Sequence, residues 1–185
     1  MISLWASAPA SAMEHGDTAP VQKLRVEVKA TIAAHCGFDQ ASDVSTKALD
    51  LNLAQTLHIP LKLDCNTPFI IGVKSSHGGL VSTLTPDHSG FSFVKAYKVA
   101  LQVGVDGSPL SPDACDAVTL TGIGNAGRAC AFYGDAPGVG LSSGKHISIG
   151  QPSQLSVGWD AAGRGPRNVA GHYQDTLTVI VAARS

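Results

Sequence analysis

The sequence predicts an all-β protein built as a single antiparallel β-sandwich, and three observations carry that prediction. Apolar residues alternate with polar ones in several separate stretches, and no run of ten residues holds a convincing helical period. Twenty glycines and ten prolines supply turns, while 44% hydrophobic against 15% charged residues suits a turn-rich β protein better than a helical or disordered chain. At 185 residues the chain is one domain with a tail, long enough to bury about two thirds of its unfolded surface.

The elements follow in order. Residues 1–12 carry Ile2, Leu4 and Trp5 ahead of Ala10-Ser11-Ala12, a small-x-small pattern that marks them as the remnant of a secretory signal, with the mature chain starting near Met13. Residues 13–19, ending at Pro20, compose a leader. From Leu24 to Ile32 the apolar Leu24, Val26, Val28, Ala30 and Ile32 alternate with Arg25, Glu27, Lys29 and Thr31, the signature of a strand with one buried face. Gly37 to Lys47 is polar. Leu49, Leu51 and Leu53 alternate, as do Leu57, Ile59, Leu61 and Leu63 up to Cys65, where Pro60 removes a ladder donor and so calls for an edge or a bulge.

Phe69 to Val73 is the next strand, joined to the preceding one by an expected hairpin at Asn66-Thr67-Pro68 and closed by Ser75-Ser76-His77-Gly78-Gly79. Phe91 to Val105 reads as one long central strand that ends at the turn Asp106-Gly107-Ser108-Pro109. Asp113 to Gly144 is irregular and glycine-rich, an insertion clipped by its own cysteine pair. Leu155, Val157 and Trp159 mark a further strand, and Tyr173 to Ala182 a last one, with Tyr173, Leu177, Val179 and Val181 on one face and Arg164-Gly165-Pro166-Arg167 between the two.

Thirteen basic and fourteen acidic residues leave no cluster able to neutralise a row of phosphates, so nucleic acid is not an expected partner. No stretch approaches 18 uninterrupted apolar residues, so a membrane-spanning helix is not expected and neither is membrane insertion. The four cysteines form no CxxC pair and no metal-ligand spacing, which favours structural disulfides in an oxidising compartment. Sequence proximity pairs Cys36 with Cys65 and Cys115 with Cys130, each bridge contributing roughly 3 kcal/mol through loop closure.

The closing pattern Gly171-x-Tyr173-x-Asp175-Thr176-x-Thr178-Val179, with Cys36 after the first strand and Cys65 ending the second, resembles the spore coat protein U domain family, whose members are pilins of the archaic chaperone-usher type. The resemblance spans about Leu24 to Ala182. It implies an incomplete, immunoglobulin-like antiparallel β-sandwich of pilin type over residues 29–185, whose missing strand is lent first by a periplasmic pilus chaperone and then by the next subunit. The implied donor strand lies in residues 13–28, with Leu24, Val26 and Val28 as its plugs. Cys36 and Cys65 look like the family disulfide, and Tyr173, Asp175, Thr176 and Thr178 like its closing strand, with a role in folding. The implied function is that of a non-enzymatic structural subunit of a surface pilus or fimbria, assembled by donor-strand exchange through an outer-membrane usher with neighbouring pilin subunits, exported through the periplasm and supporting cell adhesion or biofilm formation. The alternative is a tip adhesin or a free carbohydrate-binding β-sandwich.

Signals for catalysis and cofactors are weaker than this pattern. Gly122-Ile123-Gly124-Asn125-Ala126-Gly127 satisfies GxGxxG, but a cysteine and more glycine follow where a dinucleotide site needs a helix and a later acid. Gly144-Lys145 lacks the glycine and the hydroxyl residue of a phosphate loop. The histidines at 15, 35, 58, 77, 88, 146 and 172 show neither HxH nor HExxH spacing. No cofactor and no metal are expected. Trp159, with Asp160, Arg164 and Arg167 nearby in sequence, offers an aromatic platform for a sugar.

Overall fold

β2 (Gln55–Cys65) and β10 (Ser148–Trp159) make the longest ladder of the protein, antiparallel from Trp159 opposite Gln55 to Ser148 opposite Cys65, with a bulge between Ile149 and Pro152. The computed structural model describes residues 24–39, 50–84, 90–123, 129–163 and 165–184. The chain divides into two units, one ending at Ile32 and one from Ala33 to Ser185. The signal remnant at 1–12, the leader at 13–19 and the donor segment as far as Lys23 lie outside the described residues, as do Leu49, His88, Gly124–Gly127 and Arg164.

Around the β2–β10 ladder a five-stranded antiparallel sheet is ordered β1 (Cys36–Phe38), β2, β10, β7 (Lys98–Gln102), β8 (Cys115–Asp116). Facing it, β3 (Phe69–Ser75) sits between β13 (Leu177–Ala183) and β9 (Leu141–Ser142). Beyond the corner at residues 76–79 this layer continues as β4 (Leu80–Ser82) between β12 (Tyr173–Gln174) and β6 (Val94–Lys95), and β5 (Phe91–Ser92) pairs in parallel with β11 (Arg167–Asn168). The described residues hold no α-helix, and a 3-10 turn spans Ala117–Thr121. The architecture is all-β and sandwich-like. Its core joins Leu63, Val99, Leu101, Val103, Leu155, Val157 and Trp159 of one layer to Phe69, Ile71 and Val73 of the other, with Leu120 and Phe132 from the insertion between Asp113 and Gly144.

Four expectations need correction. β2 and β3 belong to different layers, so Asn66-Thr67-Pro68 crosses the sandwich instead of closing a hairpin. Its place is fixed by Asn66, whose Oδ1 accepts from the His35 N–H at 2.8 Å while its Nδ2 donates to the Ala33 carbonyl at 2.9 Å. The long strand from Phe91 to Val105 is broken into β5, β6 and β7, because the Ser92 hydroxyl bonds locally to Val94 and the chain passes from one layer to the other after Lys95. The last strand is split into β12 and β13 at Asp175-Thr176. Leu51 and Leu53 form a turn, in which Asp50 Oδ1 accepts from the Asn52 backbone at 2.9 Å.

The first unit, taken by itself, has no strand over residues 24–32, and Leu24, Val26 and Val28 are 89%, 70% and 86% exposed. Glu27 and Lys29 pair at 3.2 Å. An alternating segment acquires strand structure only beside a ladder partner, so its sequence period here records a preference rather than a formed element.

Candidate functional site

Two backbone edges of the sandwich face one seam. β13 pairs with β3 over its whole length, Leu177 opposite Ser75 to Ala183 opposite Phe69, and among the described residues its other side has no ladder partner. β2 pairs with β10 on one side, but β1 covers its other side only at Leu63–Cys65, with one further bond from the Asp39 N–H to the Lys62 carbonyl at 2.9 Å. The stretch Gln55–Leu61 is therefore open on that side among the described residues. Pro60 falls within it, where a missing N–H leaves no ladder bond unmade on the open side. β1 lies against β13 across the seam.

The side chains register the opening. Leu57, Ile59 and Leu61 of β2 point inward with Leu177, Val179 and Val181 of β13, and Phe38 joins them from β1. All seven pack against the core yet stay only partly buried. Along the same strand, Leu63 and Cys65 drop to 2% and 0% exposure where β1 begins. The change within one strand follows the presence of a neighbour, because an inward apolar residue at an uncovered edge is shielded on three sides only.

The opposite flank is covered. β8 pairs with Lys98 and Val99 of β7, and Val103 bridges to Leu110. The outer edge of β3 is taken up by the insertion: β9 pairs with Ile70 and Ile71, the Val73 N–H donates to the Phe132 carbonyl at 2.8 Å, and the Gly134 N–H donates to the Val73 carbonyl at 3.2 Å. Gly72 allows this approach, since a Cβ there would sit 2.6 Å from the Val139 carbonyl oxygen and 2.7 Å from the Gly134 Cα. Disulfides join Cys36 to Cys65 and Cys115 to Cys130, the first tying β1 to β2 and the second bounding the insertion. Two such bridges mark an oxidising, extracytoplasmic setting.

Asp175 fills the break between β12 and β13. Its side chain is 2% exposed and accepts from Ser75 Oγ at 2.6 Å, Tyr97 Oη at 2.7 Å, the Thr176 N–H at 2.7 Å and the His77 N–H at 3.0 Å, with His77 Nδ1 at 3.3 Å. Burial opposes its charge and these hydrogen bonds outweigh burial, so the carboxyl is held below its ordinary value. Burial, with Asp175 adding to it, drives the Tyr97 phenol well above its ordinary value. Ser75 in turn accepts from the Gly78 N–H at 2.7 Å, which carries the latch into the corner after β3, where Gly78 has φ +73°. Ser, His and Asp meet here, but Ser75 is 1% exposed and spends its hydroxyl proton on Asp175. That geometry pins strands and does not activate a nucleophile.

The other residues singled out from sequence fall as follows. The Tyr173 hydroxyl donates to the Val169 carbonyl at 2.9 Å and lies 3.2 Å from that of Ser92, fastening β12 to the loops beside it. Thr178 is exposed on the outer face of β13, opposite Lys74. Leu24, Val26 and Val28 belong to the first unit. Trp159 is 6% exposed, so no indole face is presented as a sugar platform. The seam residues and the Asp175 partners Ser75, Tyr97 and His77 were not singled out. Alternation in Leu57–Leu61 and Leu177–Val181 signalled buried faces, but only topology shows that both faces border the same opening. No protein-family model matches this chain, and no curated protein matches it.

Proposed function

We propose that this protein is a structural subunit of a surface pilus, an incomplete immunoglobulin-like sandwich of pilin type whose open seam receives residues 24–32 of a neighbouring copy. The observation that supports the reading most is the seam itself, where two uncovered backbone edges and six partly buried aliphatic side chains stand at period two. The guest matches it in length and pattern. β13 and the open stretch of β2 each run seven residues, and Leu24, Val26, Val28, Ala30 and Ile32 repeat at the same spacing.

Burying Leu24, Val26 and Val28 in the seam contributes about 5–8 kcal/mol from apolar area, before any ladder hydrogen bonds form. Left uncovered, such a seam aggregates, which is the physical reason for a periplasmic chaperone that occupies it during export and an outer-membrane usher that hands it over. Donation from one copy into the next is a heterologous contact that does not close, so it grows a fibre, and a fibre at the cell surface supports adhesion or biofilm formation.

The test is self-association of the purified chain, followed by size-exclusion chromatography and electron microscopy. The wild type forms multimers, and the triple variant L24S/V26S/V28S stays monomeric while still binding a synthetic peptide of residues 20–32. Multimers of the triple variant equal to those of the wild type would overturn the reading, as would a wild-type monomer that refuses the peptide.

A further inference from the structure

The chain enters β1 through a clamp. β1 runs antiparallel to β2 from Cys36 opposite Cys65 to Phe38 opposite Leu63, and the Asp39 N–H then reaches the Lys62 carbonyl, so the chain after Cys36 heads toward the open stretch of β2. The residues just before Cys36 therefore come in from beyond the Cys65 end of the ladder. They are held there by one side chain. Asn66 Oδ1 accepts from the His35 N–H at 2.8 Å and Asn66 Nδ2 donates to the Ala33 carbonyl at 2.9 Å, while the Asn66 N–H donates to the His35 carbonyl at 3.2 Å. His35 Nε2 also meets Asp64 Oδ2 at 2.9 Å, and the Cys36–Cys65 bridge closes the set. All of these residues belong to the second unit.

Chain length turns this anchor into a constraint. For a copy to fill its own seam with Leu24, Val26 and Val28 beside Leu57, Ile59 and Leu61, its chain has to double back from Ala33 and run parallel to β2, with Val28 level with Leu61. The five steps from Val28 to Ala33 span at most about 17 Å of extended chain. The five ladder positions from Leu61 to Asn66 take up about 17 Å as well, which leaves nothing for the reversal or for passing β1 at Leu63–Cys65. The opposite orientation puts Val28 beside Leu57, farther still. With Ala33 to His35 released, the root moves to Cys36, and eight steps from Val28 face four positions from Leu61 to Cys65. About four residues then become available for a turn, enough for a short hairpin loop.

We infer that the Asn66 clamp withholds residues 24–32 from the seam of their own copy, which makes donation between copies obligatory. The inference rests on the fibre reading and adds a rule about whose strand enters. On a short flexible tether a strand meets its own seam at an effective concentration on the order of millimolar, far above that of neighbouring copies in dilute protein. A loosened root would close each copy on itself and stop growth.

The experiment separates full chains by size-exclusion chromatography and measures the monomers that refuse a synthetic peptide of residues 20–32, since refusal marks a filled seam. Multimers are expected for the wild type. A flexible Gly/Ser insert of about twelve residues after Ile32, reaching roughly 20 Å, is expected to convert them into peptide-refusing monomers with Asn66 intact. N66A, at native length, raises the fraction of such monomers about tenfold. Adding L24S/V26S/V28S to either variant restores peptide uptake, which a loss of folding would not do. Persistent multimers in the insert variant, or no rise in peptide-refusing monomers in N66A, would overturn the clamp and leave the fibre reading standing. Wild-type monomers that refuse the peptide until L24S/V26S/V28S is introduced would overturn it as well, by showing self-filling. Refusal by L24S/V26S/V28S itself sinks the seam reading, and the clamp with it.

Discussion

Replacing Asp175 with alanine tests whether one buried carboxylate holds the closing strand in place. The substitution removes the acceptor of four hydrogen bonds of 2.6–3.0 Å and strands the hydroxyls of Ser75 and Tyr97, which are 1% and 4% exposed. A bond to a charged group is worth about 1.5–3 kcal/mol and a stranded buried hydroxyl costs about 1–3, but the losses overlap, so the expected change is about 3–5 kcal/mol. For a domain of this size that lowers the melting temperature by roughly 8–15 °C. Urea unfolding at pH 7, followed by circular dichroism, measures it. The acid limb gives a second reading. Because the folded carboxyl is held below its unfolded value, its contribution is complete above about pH 4 and is withdrawn as pH falls further. Asp175→Asn therefore flattens the loss of stability that the wild type shows below that pH. A loss under about 1 kcal/mol in Asp175→Ala, or strict additivity with Tyr97→Phe in a double-mutant cycle, would refute the reasoning.

Three further outcomes follow from the same geometry. Under the proposed strand donation, Val179→Asp blocks the acceptor seam but leaves the donor and L24S/V26S/V28S does the reverse, so native mass spectrometry of the mixed variants shows heterodimers and nothing longer. Gly72→Ala drives a methyl group into the backbone of Val139 and Gly134, which cannot yield, and lowers stability by about 2–3 kcal/mol in thermal melts. Cys115→Ser with Cys130→Ser releases a loop of 15-residue separation, costs about 3 kcal/mol, and raises the rate of proteolysis within residues 131–140.

Much of this architecture is legible in the sequence because a half-buried strand writes its two faces as alternating residue types. Leu57–Leu63, Leu155–Trp159 and Leu177–Val181 all fall on strands. Cysteine proximity gives both bridges. What escapes is decided by pairing across long separations. Nothing in Asn66-Thr67-Pro68 distinguishes a hairpin from a crossing between layers, and the contacts that fasten the pieces of Phe91–Val105, Tyr97 Oη to Asp175 and Lys95 Nζ to the Asp160 carbonyl, come from far along the chain. Asp175 itself is visible in the closing pattern, whereas its partners Ser75 and Tyr97, 100 and 78 positions away, are not.

The insertion that seals the outer edge of β3 has a consequence for the shape of anything assembled from this molecule. With that flank occupied by its own chain, the described residues leave one open seam, so the proposed fibre takes a single incoming strand per copy and grows in one line.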